Sequence, residues 1–134
     1  MTYGQIPIAG RLIPWAILAM LLHECGHIVT ALALGVEVKR VGLCLAGIYT
    51  KHESGTPLQN FLIVLAGPLS NLYLALLFAG HHAAMFVVAN LLGLGTNLLP
   101  LPGTDGWLAG KLAWRWLRPV ASSQSSVVSS GGAQ

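Results

Sequence analysis

Leu12-Ile13-Pro14-Trp15-Ala16-Ile17-Leu18-Ala19-Met20-Leu21-Leu22-His23-Glu24-Cys25-Gly26-His27-Ile28-Val29-Thr30-Ala31-Leu32-Ala33-Leu34 is an apolar run with three ionisable residues set into its middle. The run is near the ~20 residues that carry a helix across ~30 Å of hydrocarbon. Pro14 is tolerable in a first turn, and Gly35 is a stop signal. His23-Glu24-Cys25-Gly26-His27 reads H-E-x-x-H. Two histidines four apart lie on one helix face, one turn apart. So placed, two neutral imidazoles can grip one Zn²⁺ at ~2.0–2.1 Å. Glu24 points to the flank of that face, toward a water on the metal rather than the metal itself. A charged carboxylate at mid-span costs up to ~2.5–3.5 kcal/mol, and metal binding would offset such a cost. The bland alternative is a helix–helix hydrogen-bond cluster with no metal.

Working outward, the composition agrees with a lipid setting. Of 134 residues, 54% are hydrophobic and only 8% charged, against about 25% charged in soluble domains. That length suits one compact domain. Two further apolar runs follow, Phe61 to Ala79 and Ala83 to about Leu99. Between the first two runs, residues 36–50 partly alternate apolar and polar side chains and read as a short β-hairpin or ribbon. Residues 51–59 form a polar turn, and Gly80-His81-His82 a tight one. After Pro100-Leu101-Pro102-Gly103, Trp107 to Leu117 mixes tryptophans with Lys111 and Arg115, as an interfacial helix does. Residues 121–134, rich in Ser, Gly and Ala, are expected to be disordered. The expected fold is an all-α membrane protein of three transmembrane helices (about 12–34, 61–79 and 83–99), with a single core over 1–120.

Lys39, Arg40 and Lys51 follow the first span; Lys111, Arg115 and Arg118 follow the third. With three spans these share a side, which the positive-inside rule puts in the cytoplasm with the C-terminus. The scattered cations form no basic stripe for nucleic acid. Two cysteines, Cys25 and Cys44, are too few for a disulfide framework. No cleavable signal peptide is expected, because the first apolar run is too long for one.

A catalytic zinc needs a third protein ligand and an open position. Besides Glu24, the acids are Glu37, Glu53 and Asp105. Glu37 and Glu53 sit among cations and read as solvated or salt-bridged. Asp105 follows Asn97-Leu98-Leu99-Pro100-Leu101-Pro102-Gly103-Thr104, where prolines and glycines forbid a regular helix. Broken backbone at membrane depth is tolerated only inside protein or beside a water-filled cavity. Asp105 therefore either faces an interior polar site or caps the following helix. Spans one and three run the same way, so His27 and Asp105 fall near one depth, toward the cytoplasm. In Ala66-Gly67-Pro68-Leu69-Ser70-Asn71, Gly and Pro invite close packing and a kink. Asn71 wants a partner, either an interhelical one or a substrate backbone or oxyanion, and Asn97 carries the same ambiguity. His52, His81, His82 and the tryptophans read as interfacial.

Together these segments resemble the site-2 protease family of intramembrane zinc metalloproteases. His23-Glu24-Cys25-Gly26-His27 matches its H-E-x-x-H. Ala66 to Asn71 resembles its A-G-P-x-x-N element, and Asn97 to Gly106 its N-x-x-P-x-x-x-x-D-G element. The three occur in the family's order and cover most of residues 12–106. The resemblance implies that His23, His27 and Asp105 bind Zn²⁺ and that Glu24 is the catalytic acid/base. It implies transmembrane helices as substrates, unwound before cleavage, and a bacterial or archaeal cell membrane as the location. The ribbon at 36–50 resembles the family's membrane-associated sheet, whose edge can take an extended strand. The chain departs from the pattern in having Thr104 where Leu is common, and in lacking the flanking helices of many relatives. A homodimer or a membrane partner would then complete the substrate gate. The rival reading is a catalytically inactive scaffold of the same core that binds partner helices; the intact Glu24 argues against it. A zinc transporter or sensor is a further rival, disfavoured by the lack of a relay of intramembrane acids.

Overall fold

The computed structural model of the chain describes residues 7–44, 47–52 and 55–118. Its elements are α1 (Ile8–Ala33), β1 (Val38–Cys44), β2 (Gly47–His52), α2 (Pro57–Phe78), α3 (Ala84–Leu98) and α4 (Asp105–Leu117). The expected disordered tail at 121–134 lies outside the described residues.

α1 begins four residues before the apolar run, behind Pro7. Arg11 is exposed, so a cation in the first turns meets no apolar wall and the helix runs through it. Pro14 consequently lies inside α1, rather than in its first turn. The other end closes in a Schellman motif. Gly35 takes φ 70°, Val36 N–H donates to Ala31 O at 2.9 Å, and Gly35 N–H donates to Leu32 O at 3.1 Å. The hydrophobic contact that accompanies this motif is present too: Ala31 and Val36 bury against Ile63 of α2, with Leu34 and Val38 around them.

α2 begins at Pro57, where the polar turn was expected to run on to Gln59. A capping box explains the early start. Gln59 N–H donates to Thr56 Oγ1 at 3.3 Å, and Thr56 N–H donates to Gln59 Oε1 at 2.8 Å, with Pro57 at the first helical position. The same Gln59 side chain donates from Nε2 to Leu34 O at 3.0 Å, tying the start of α2 to the end of α1. Between them, β1 and β2 pair antiparallel from Val38↔His52 to Cys44↔Gly47, with an irregularity at Lys39.

α1, α2 and α3 pack on one another, and α4 docks mainly on α2. The α1–α2 crossing is tight because its residues are small. A Cβ on Gly26 would lie 2.7 Å from Ala66 O and 3.0 Å from Ser70 Oγ. Such close backbone approach is how helices associate where no hydrophobic force separates helix from lipid. Toward the start of α1, Trp15 and Phe78 meet Phe86 edge-on at 5.9 and 5.2 Å. The polar residues His23, Glu24, His27 and Asn71 are buried between this aromatic layer and the Ala31–Val36–Ile63 cluster.

The outer surface has the opposite character. Ile17, Val29, Leu32, Leu69, Tyr73, Leu76 and Leu91 are all exposed. Polar inside and leucine outside is the reverse of a water-soluble domain. α1 and α2 are long and apolar enough to cross a membrane. The third expected span, 83–99, takes form as the 15 residues of α3, about 22 Å at ~1.5 Å per residue.

Candidate metal centre

His23 and His27 project from one face of α1 onto a shared point. Their rings stand edge to face at 4.8 Å between centroids, with Nε2 to Nε2 at 3.2 Å. Asp105 joins them: its Oδ2 lies 2.9 Å from His23 Nε2 and 3.4 Å from His27 Nε2. Ligands held at ~2.0–2.1 Å around a tetrahedral ion stand roughly 3.3–3.4 Å apart. The three donors already have about that spacing, so they could hold one divalent ion.

The backing groups suit the same task. His27 Nδ1 donates to Ile63 O at 2.7 Å, which leaves Nε2 as the lone-pair nitrogen aimed at the cluster. Gly67 of α2 lies directly against the rings. A Cβ there would collide with His27 Nε2 and sit 2.6 Å from His23 Nε2. The space that glycine leaves open is the space an ion shared by the two imidazoles would need.

Asp105 is the first residue of α4. The cap is Thr104, so the alternative of Asp105 as the capping residue is replaced by a division of labour. Thr104 Oγ1 accepts from Trp107 N–H at 3.4 Å, which frees the aspartate to turn toward the histidines. Helix α4 therefore starts at Asp105, two residues before the expected Trp107. Gly106 makes the approach possible, because a Cβ there would collide with Leu98 O at the end of α3. Burial acts to raise the Asp105 pKa, but hydrogen bonding to the imidazoles outweighs it and holds the carboxyl below the usual carboxylate range. It is an ionised donor, placed where the helix dipole also favours negative charge.

Glu24 is 8% exposed and lines a cavity of about 510 Å³ beside the cluster. Met20, His23, Asn71, Gly93, Asn97 and the Pro102–Thr104 turn share that cavity. The Asn71 amide nitrogen is 3.2 Å from His23 Nδ1. Asn97 donates to Gly93 O at 3.0 Å within its own helix. Glu37, His81 and His82 are exposed and take no part; Glu53 lies outside the described residues. The sequence reading did not single out Ile63, whose contribution is a backbone carbonyl, or Asn90, which is fully buried on α3 and donates to Phe86 O at 2.9 Å. An asparagine within an apolar run was the available signal for Asn90. For Ile63 there was none.

The profile of peptidase family M50 matches residues 15–87, taking in the two histidines, Glu24, Gly67 and Asn71. The chain belongs to peptidase family M50, the site-2 protease family. Two relatives agree with that membership in M50. A Synechocystis sp. protein, named provisionally as a zinc metalloprotease, is 34% identical over 86% of the chain and 38% of its own length. The stage IV sporulation protein FB of Bacillus subtilis is 33% identical over 72% of the chain and 36% of its own length. The chain thus spans well under half the length of these M50 relatives.

Proposed function

We propose that the chain is an intramembrane zinc metalloprotease that hydrolyses peptide bonds of transmembrane helical substrates. The observation that carries this reading is the meeting of His23 Nε2, His27 Nε2 and Asp105 Oδ2, no two of them more than 3.4 Å apart, with the buried carboxylate of Glu24 beside them. A zinc ion held by these three residues would supply an acidified water and a positive charge for the developing oxyanion. Glu24 takes the proton of the attacking water on its carboxylate and returns it to the departing amide nitrogen. His27, anchored on Ile63 O, keeps its ring orientation through the cycle. The cavity beside Glu24 admits water and an extended stretch of peptide, and the broken backbone at Leu99–Thr104 is tolerated because it borders that cavity.

In this reading α1, α2 and α3 cross the bilayer, and α3 completes its crossing with the apolar turn that follows. α4 lies at the cytoplasmic interface, where Lys111 stands 5.0 Å over Trp107 and Arg118 4.7 Å over Trp114. The β1–β2 ribbon offers an edge to an unwound substrate, and a second copy or a membrane partner completes the gate. The test is Glu24→Gln in proteoliposomes with a single-span substrate. It should keep zinc and lose turnover by roughly 10²–10⁴-fold; undiminished cleavage would overturn the assignment.

A further inference from the structure

The two imidazoles reach the donor cluster with different backing. Behind His27 is a carbonyl, which can only accept, so Nδ1 carries the ring proton and Nε2 is bare. Behind His23 is an amide, which can do either. The Asn71 amide nitrogen faces His23 Nδ1 at 3.2 Å. In that arrangement Asn71 donates, Nδ1 accepts, and the proton of neutral His23 sits on Nε2, pointing at Asp105 Oδ2 2.9 Å away. In this tautomer His23 cannot be a ligand, because an Nε2 that bears a proton has no lone pair to give a metal. The network also has one flaw. Asn71 is 1% exposed, and its Oδ1 is buried without a hydrogen-bond partner.

We infer that Asn71 is a positioning residue that sets the tautomer of His23: on metal uptake its amide turns over, and the orphaned Oδ1 accepts the Nδ1–H of His23. The inference rests on the metal-site reading above. A half-turn about the Cβ–Cγ bond exchanges oxygen and nitrogen with almost no movement of heavy atoms. The ring loses a proton at Nε2 and gains one at Nδ1, so its charge is unchanged and both imidazoles then present bare Nε2 atoms. The amide is held where this exchange can happen by Gly93 of α3, at which a Cβ would lie 2.7 Å from Asn71 Nδ2. One side chain of α2, enclosed by α1 and α3, thereby decides which nitrogen of His23 is bare.

The test uses the full chain in detergent micelles, with zinc as the probe and competition against a chromophoric chelator as the measure. Asn71→Asp keeps an acceptor opposite Nδ1, whereas Asn71→Leu keeps the volume and offers none. Losing the partner behind a ligating imidazole should weaken zinc roughly 10–100-fold in Asn71→Leu, with Asn71→Asp staying within about fivefold of wild type. Nitrogen NMR of isotope-labelled histidine in the wild type adds a direct readout. His23 should carry its proton on Nε2 without zinc and on Nδ1 with it, and His27 on Nδ1 in both. If the leucine variant loses its helical circular dichroism, the NMR readout decides alone. Equal zinc affinity in Asn71→Leu, equal weakness in both variants, or a bare His23 Nδ1 in the loaded protein overturns the inference. A substrate-contacting role alone would give the first of these. A wild type that takes up no zinc sinks the proposed function and this inference with it; normal uptake in wild type and leucine variant alike sinks only this one.

Discussion

Gly67 shows how much of the site depends on an atom that is missing. A methyl group there would occupy the volume between the two Nε2 atoms, and neither ring can retreat, since His27 is fixed to Ile63 O and His23 packs against Asn71. Gly67→Ala should therefore abolish zinc uptake, from one ion per chain to a small fraction, while circular dichroism keeps its helical shape. Zinc-to-protein ratios by atomic emission would check this, and full occupancy in the variant would refute the packing. His23, Glu24 and His27 were legible because their spacing matches the helix period and their chemistry is costly in an apolar run. Asp105 was legible because few acids exist and its surroundings forbid a regular helix. Gly67 was read only as a packing glycine, and Ile63 not at all. A backbone carbonyl or an absent Cβ leaves no mark on side-chain chemistry, so its role shows only once the helices are packed.

At the scale of elements, the sequence showed where the apolar runs lie but not where the helices begin. α1 and α2 each start four residues before their run because capping chemistry, not hydropathy, sets a helix start. Pro7 opens α1, and the Thr56–Gln59 box with Pro57 opens α2. Gln59 has a second task in holding Leu34 O, so the connection spanning the ribbon is braced where it leaves α1 and where it enters α2. Gln59→Ala should lose half the box and the brace, a cost of about 1–2 kcal/mol. Gly35→Ala forces an L-residue to positive φ, at about 1–2 kcal/mol. Unfolding in mixed detergent micelles would measure both; a double variant costing no more than either single would show that the two features act as one unit. The α3–α4 junction was read as broken backbone, and it is. What the pattern did not reveal is that Thr104 takes the cap and so releases Asp105 for the histidines.

For the whole molecule, the arrangement is a polar centre between two apolar layers, wrapped in exposed leucine and isoleucine. In the proposed three-span reading the two termini fall on opposite faces, with Lys39, Arg40, Lys51, Lys111, Arg115 and Arg118 on one of them and Arg11 on the other. A tag before Met1 should react with a membrane-impermeant reagent in intact cells, and one after Gln134 only after permeabilisation. Equal reactivity of both tags would require an even number of crossings. The three donors are drawn from distant parts of the chain, with His23 and Asp105 separated by 82 positions. This spacing has a consequence during biosynthesis. A ribosome that has made the imidazole pair must still add two more helices before the carboxylate appears. On the proposed function, the growing polypeptide would until then own only a two-toothed chelate with poor grip, and its capacity to cut its neighbours would be withheld until the third donor had been made.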